Sequence, residues 1–254
     1  MATARDQASE GVLRQLRDLH RNGRASWSNF DTLTSGAQYR RLHRLCRECI
    51  APGSRVLDWG SGTGHASIYL ARAGYDATGF SMDPFSFEDL VSGGRYRFVA
   101  ARPKEPVLLP FEDAEFDAVL SVGVLEHVRE TGGNEHASLR EIWRILRPGG
   151  VFLCFHLPNA WSWIEAVARR LDAHSHPYRY TPAEVRELFE GAGLRIERRE
   201  RYGLLPRNQV ARFLPRRLCD MEGFSRFYDA LDGLGAALLP WITQNHLVVA
   251  RKPA

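Results

Sequence analysis

The chain has 254 residues, 44% of them hydrophobic and 25% charged, with a formal net charge of +4. These are ordinary proportions for a globular protein, and the length suits one large α/β domain or two small ones. No apolar run approaches the roughly 18 to 20 residues of a bilayer span. Residues 1–10 are polar and lack a signal-peptide core, so a cytoplasmic location is expected. Four cysteines (46, 49, 154 and 219) make no disulfide framework. The Cys46-x-x-Cys49 pair lacks the second ligand pair that a zinc site needs, and no metal centre is expected.

In chain order, residues 9–21 place Val12, Leu13, Leu16 and Leu19 on one helical stripe that Asn22-Gly23 can end. Trp27, Phe30 and Tyr39 follow in a polar stretch. A second helix over 38–50 carries Leu42, Leu45 and Cys49 on one face. Ala51-Pro52-Gly53 then turns the chain into Val56-Leu57-Asp58-Trp59, a short strand that breaks into Gly60-Ser61-Gly62-Thr63-Gly64 before a helix over 65–74. Strand, glycine turn and helix form the entry to a parallel sheet, and ligands bind outside the carboxyl ends of its strands. The dinucleotide fingerprint needs a small residue at its sixth position, and here that residue is His65. No phosphate-cradling P-loop pattern occurs. A carboxylate at Asp58 would repel a pyrophosphate and attract a cation.

What remains, Asp-x-Gly-x-Gly-x-Gly, resembles the first motif of class I S-adenosylmethionine-dependent methyltransferases, specifically their small-molecule, type 11 branch. The resemblance implies a Rossmann-like seven-stranded, mostly parallel sheet with helices on both faces. It also implies S-adenosyl-L-methionine as cofactor, held at Asp58, Gly60, Ser61, Gly62 and Gly64. The segment before residue 53 would be a helical cap, either covering the cofactor or simply packing on the sheet's flank.

The second strand, 76–81, is followed by Met82-Asp83-Pro84. The family usually ends this strand with an acid that takes the ribose hydroxyls. Here Ser81 stands at that place, so Asp83, from a shifted loop, is the favoured ribose partner. After the third strand, 95–101, the family's adenine-binding Asp is replaced by Ala101-Arg102, and a backbone contact there is the fallback. Leu109-Pro110-Phe111 and the fourth strand, with Ser121 and Val122 before Gly123-Val124-Leu125-Glu126-His127, match the family's next block. A helix over 138–146, a turn at Arg147-Pro148-Gly149-Gly150 and a fifth strand over 151–156 form its third landmark. Thr181-Pro182-Ala183-Glu184 opens a capped helix, a sixth strand runs over 194–198, and a last one over 246–251.

The domain reading is a single methyltransferase domain: a cap over 1–52, a core over 53–202 and 242–252, and an insertion over 203–241. The insertion would be a substrate lid, a homodimer surface or a membrane-touching element, although its apolar residues read more readily as core. Oxygen methylation benefits from a general base, for which His127, His156, His174 and His176 are candidates, with His127 and His156 preferred. The stretch after strand four lacks the Asn/Asp-Pro-Pro-Tyr/Phe pattern of enzymes that methylate base amines, and nothing suggests nucleic-acid binding. The expected activity is methylation of a small molecule, at a sugar or glycan-precursor oxygen. A looser likeness to enzymes acting on surface glycans points to an acidic or lipid-linked acceptor. Another natural product or lipid as acceptor, a non-catalytic cofactor-binding subunit and a dehydrogenase are the rival readings.

Overall fold

A computed structural model describes residues 4–82, 91, 95–102, 105–173 and 175–254. Their seven-stranded sheet has the order β3-β2-β1-β4-β5-β7-β6. The strands are β1 (Arg55–Trp59), β2 (Asp76–Ser81), β3 (Arg95–Ala100), β4 (Phe116–Val122), β5 (Leu146–Pro158), β6 (Arg195–Tyr202) and β7 (Asn245–Arg251). β1 to β5 pair in parallel, and β7 lies antiparallel to both β5 and β6. The expected architecture is therefore observed.

Alternate residues of β1 feed two separate cores, because side chains along a strand point to opposite faces. Val56 joins a layer built from α1 (Ala4–Arg21), α3 (Tyr39–Cys49) and α4 (His65–Arg72), with Leu16, Leu42, Leu45 and Ile68. Leu57 and Trp59 join the opposite layer, with Leu139 and Ile142 of α5 (Glu135–Ile145) and Val185 and Phe189 of α7 (Pro182–Gly191). Burial of both faces explains why the central strands read as nearly continuous apolar runs. The strand order reverses between β1 and β4, and a crevice opens there at the strands' carboxyl ends.

Several boundaries differ from expectation for local reasons. α5 starts three residues earlier than the periodicity suggests, since the Asn134 side chain accepts the Ala137 N–H at 2.8 Å and caps it. The expected turn at 147–150 is absorbed into β5. Pairing with β4 shifts register between Phe116 and Ala118, Gly149 takes φ +77°, and its N–H donates to the Lys252 carbonyl at 3.0 Å. The proline-glycine pair therefore makes a bulge, not a chain reversal. The capping box at Thr181 and Glu184 forms as expected. All four cysteines are unbridged.

The cap adds α2 (Leu33–Gly36). After α6 (Trp163–Arg170), the insertion folds as α8 (Val210–Phe213), α9 (Arg216–Cys219) and α10 (Glu222–Leu238). Cap and insertion are tied to each other: the Thr34 hydroxyl donates to the Cys219 carbonyl at 2.7 Å and Arg40 donates to Ser225 at 2.9 Å. Arg207 is buried in the insertion on Asp229 and Asp232. The insertion's apolar residues are not mainly core. Phe227, Leu231, Leu234 and Leu238 of α10 lie on solvent, as does Phe213, 78% exposed. No helix among the described residues is long and apolar enough to cross a membrane.

Candidate active site

The glycine turn after β1 sits against the segment after β4. Gly60 has φ +70°, and a Cβ there would lie 2.6 Å from the Val124 methyls, so only glycine permits this approach. Gly62 (φ +48°) and Gly64 (φ +81°) carry the chain into α4 in the left-handed conformation. The Ser61 N–H donates to the Phe80 carbonyl at 2.9 Å, fixing the turn to β2. The Ser61 hydroxyl is buried without a protein partner. Asp58 does not present its carboxylate to the crevice as expected. It is 1% exposed and accepts the Ser67 hydroxyl at 2.6 Å from within α4, and burial raises its pKa to about 6. Its place is beneath the turn, which it braces.

Two cavities open at this edge. The first, of about 130 Å³, is lined by Trp59, Gly60, Phe80, Ser81, Met82, Ala101, Glu105, Pro106, Val124, His127, Val128 and Thr131. Its apolar walls and a few polar groups at the rim suit a nucleoside. Ser81, Met82 and Ala101 are thus brought together on one cavity wall. Arg102 is exposed and does not line the cavity itself, but pairs at 3.4 Å with Glu105, which does. Ser121 is fully buried under the crevice. Asp83 and His174 lie outside the described residues. The sequence does not single out Glu105, in a loop, or Thr131, at the end of a 3-10 helix over Leu125–Thr131, because neither belongs to a recognisable pattern.

The second cavity, of about 320 Å³, shares His127 with the first. The cap supplies Ser28, Asn29, Gln38 and Tyr39, the sheet edge Val122, Gly123, Glu126, His156, Gln244 and Asn245, the segment after α6 His176, and the insertion Asn208. The cap therefore covers the crevice. Trp27 also donates from its indole N–H to Thr63, and Tyr39 packs edge-on against His65 at 5.0 Å.

Hydrogen bonding sorts the histidines into two kinds. His127 Nδ1 lies 2.9 Å from the Glu130 carboxylate, and His176 Nδ1 lies 3.1 Å from Glu165. A carboxylate only accepts, so each ring donates from Nδ1 and, when neutral, carries its lone pair on Nε2. Burial works against Glu165, but hydrogen bonds from the His176 ring and backbone hold its carboxyl down at about 2. His156 is the reverse. Its backbone N–H donates to the Tyr202 hydroxyl at 2.9 Å, and that hydroxyl lies 2.9 Å from His156 Nδ1. Nδ1 is the acceptor within reach of the Tyr202 hydroxyl proton, and with that proton given to Nδ1 the ring's own proton sits on Nε2, an atom buried without a protein partner. Burial lowers the pKa of His156 to about 3. It is a neutral hydrogen-bond donor, poorly suited to the base role expected of it. Glu126, 2% exposed, lies with Oε1 4.0 Å from His127 Nε2, and burial raises its pKa to about 7.

A model of the methyltransferase domain matches residues 57–154. A demethylmenaquinone methyltransferase of Mycobacterium bovis is 30% identical over 173 residues, 61% of this chain and 70% of that relative. The chain belongs to the class I S-adenosylmethionine-dependent methyltransferases. An uncharacterized methyltransferase of Synechocystis is 27% identical over 69% of this chain and 83% of its own length. Other curated relatives are matched over only 56–60% of theirs. The Burkholderia thailandensis 1,6-didemethyltoxoflavin N1-methyltransferase, solved with 1,6-didemethyltoxoflavin and S-adenosylhomocysteine, superposes with a TM-score of 0.55 at 20% identity. That match covers all of this chain and 92% of the other. The protein is thus an S-adenosylmethionine-dependent methyltransferase. The glycine turn, the apolar nucleoside cavity and the unpartnered Ser61 hydroxyl fit that cofactor.

Proposed function

We propose that this methyltransferase acts on an oxygen of a small, hydroxyl-rich acceptor of the sugar class. The observation that carries this reading is the second cavity. Its wall of Asn29, Gln38, Asn208, Gln244 and Asn245 offers paired donors and acceptors suited to hydroxyl groups. Asn29, Gln38 and Gln244 each already donate once within the protein, to Tyr39, Ser35 and Glu165, so what they offer a ligand is a side-chain carbonyl and a remaining N–H, groups that an apolar ring acceptor would leave unused.

In this reading the adenosine occupies the first cavity, with Ser81 and Glu105 toward the ribose, and the acceptor enters the second beside Gly123. The bound cofactor supplies an electrophilic methyl on a sulfonium. His127 stands between the two cavities and can receive the acceptor hydroxyl's proton at Nε2, while Glu130 holds its other nitrogen. Positioning of this kind lowers a displacement barrier by several kcal/mol.

Calorimetry with S-adenosylmethionine, S-adenosylhomocysteine and NAD, followed by labelled-methyl transfer to panels of nucleotide sugars, free sugars and quinols, tests the proposal. We expect binding of the first two ligands, none of NAD, and label in a sugar. Label found only in the quinols would overturn the acceptor assignment.

A further inference from the structure

Glu126, His127 and His176 bring one ligand atom each to within 4.8 Å of one another, on the wall of the second cavity. Glu126 and His127 are neighbours after β4, whereas His176 arrives from the segment after α6, so only the fold makes this group. The imidazole ring centroids lie 5.6 Å apart, with the ring planes tilted by 49°. Donors around a single ion at about 2.0–2.2 Å each stand roughly 3 to 4 Å apart. Small side-chain rotations would therefore suffice to close the set.

A second observation points the same way. Each histidine is gripped at Nδ1 by a carboxylate that is not itself in the group, Glu130 for His127 and Glu165 for His176. Glu165 is further fixed by the His176 backbone N–H at 2.9 Å and by Gln244 at 3.2 Å. Carboxylate–histidine pairing of this kind orients a metal-binding imidazole, sets its tautomer and makes Nε2 the ligating nitrogen. A single such pair is common in proteins, but two on adjacent rings beside a buried glutamate are a built arrangement. His156 lacks this feature and carries its proton on Nε2.

We propose that Glu126, His127 and His176 bind one divalent transition-metal ion, whose open positions take oxygen atoms of the acceptor. Two imidazoles and a carboxylate form a borderline donor set that favours zinc, cobalt or manganese over magnesium. Three protein ligands leave room for two neighbouring hydroxyls, which gives the cavity a reason to select a diol. With the ion bound, His127 Nε2 is a ligand and no longer takes the hydroxyl's proton; a coordinated hydroxyl is acidified and its proton passes to solvent. The role in acceptor binding rests on the methyl-transfer reading above, whereas ion binding itself does not.

The test uses the full-length untagged protein, stripped with a chelator and titrated calorimetrically with Co²⁺, Zn²⁺, Mn²⁺ and Mg²⁺, alongside a separate titration with S-adenosylmethionine. We expect one equivalent of cobalt or zinc to bind, at least tenfold tighter than magnesium. His176→Ala and Glu126→Gln should each weaken it at least tenfold, while His136→Ala, which removes an exposed histidine on α5, should change nothing. Glu165→Gln should weaken it by a smaller factor and serves if His176→Ala does not fold. Absence of stoichiometric binding, or equal binding by wild type and the site variants, would overturn the proposal. Failure to bind S-adenosylmethionine would instead count against the methyltransferase reading and leave the ion result standing.

Discussion

The Ser67 hydroxyl donates to the Asp58 carboxylate at 2.6 Å, joining the first turn of α4 to the strand beneath the glycine turn. Burial raises the pKa of Asp58 from 3.8 to about 6, so the folded protein keeps a proton that the unfolded chain has released. The stability linked to that proton is complete below about pH 4 and lost as the pH rises through about 6. Asp58→Asn keeps the partner for Ser67 and removes the titration. Urea melts should show it more stable than wild type at pH 8 by on the order of 2 kcal/mol, with the gap closing by pH 4.5. A variant no more stable at pH 8 would refute this account of the carboxylate.

Gly60→Ala should destabilise the fold by about 2–4 kcal/mol. The residue holds φ +70°, and the new methyl meets Val124 at 2.6 Å, which adds left-handed strain to overpacking. S-adenosylmethionine binding should weaken at least tenfold. Adding Val124→Ala should restore part of the stability, because it relieves the clash and leaves the backbone strain.

The two bonds between Tyr202 and His156 fix which nitrogen of that ring carries its proton. Tyr202→Phe removes both, leaving a buried ring nitrogen and a backbone N–H unsatisfied, and should cost about 1–3 kcal/mol. Nitrogen NMR should show His156 protonated at Nε2 in the wild type and a mixture of tautomers in the variant. A wild-type ring protonated at Nδ1 would contradict the assignment of His156 as a donor.

Leu234→Ser and Leu238→Ser on the outer face of α10 should each change stability by no more than about 0.5 kcal/mol, since both side chains are largely in solvent. Leu139→Ala, fully buried in α5, should cost about 2–5 kcal/mol in urea melts of the same kind.

The sequence by itself determined the sheet and its glycine turn. β1, its Gly60-Ser61-Gly62-Thr63-Gly64 exit and α4 are contiguous, and their apolar runs and glycines follow from local backbone geometry. Ser81, Met82 and Ala101 could be assigned to the sheet's rim for the same reason, since Ser81 ends β2 and Met82 and Ala101 directly follow β2 and β3. Tertiary structure decided the rest. The second cavity joins Asn29, Gln38, His127, His176, Asn208 and Gln244, which are scattered over more than two hundred residues, and no local pattern records that they meet. It also decided that Asp58 turns inward to Ser67, that the proline-glycine pair at 148–149 bulges within β5, and that α10 shows its leucines to solvent. Local patterns specify which element a segment forms. Which atoms face one another across the crevice depends on packing between segments distant in the chain.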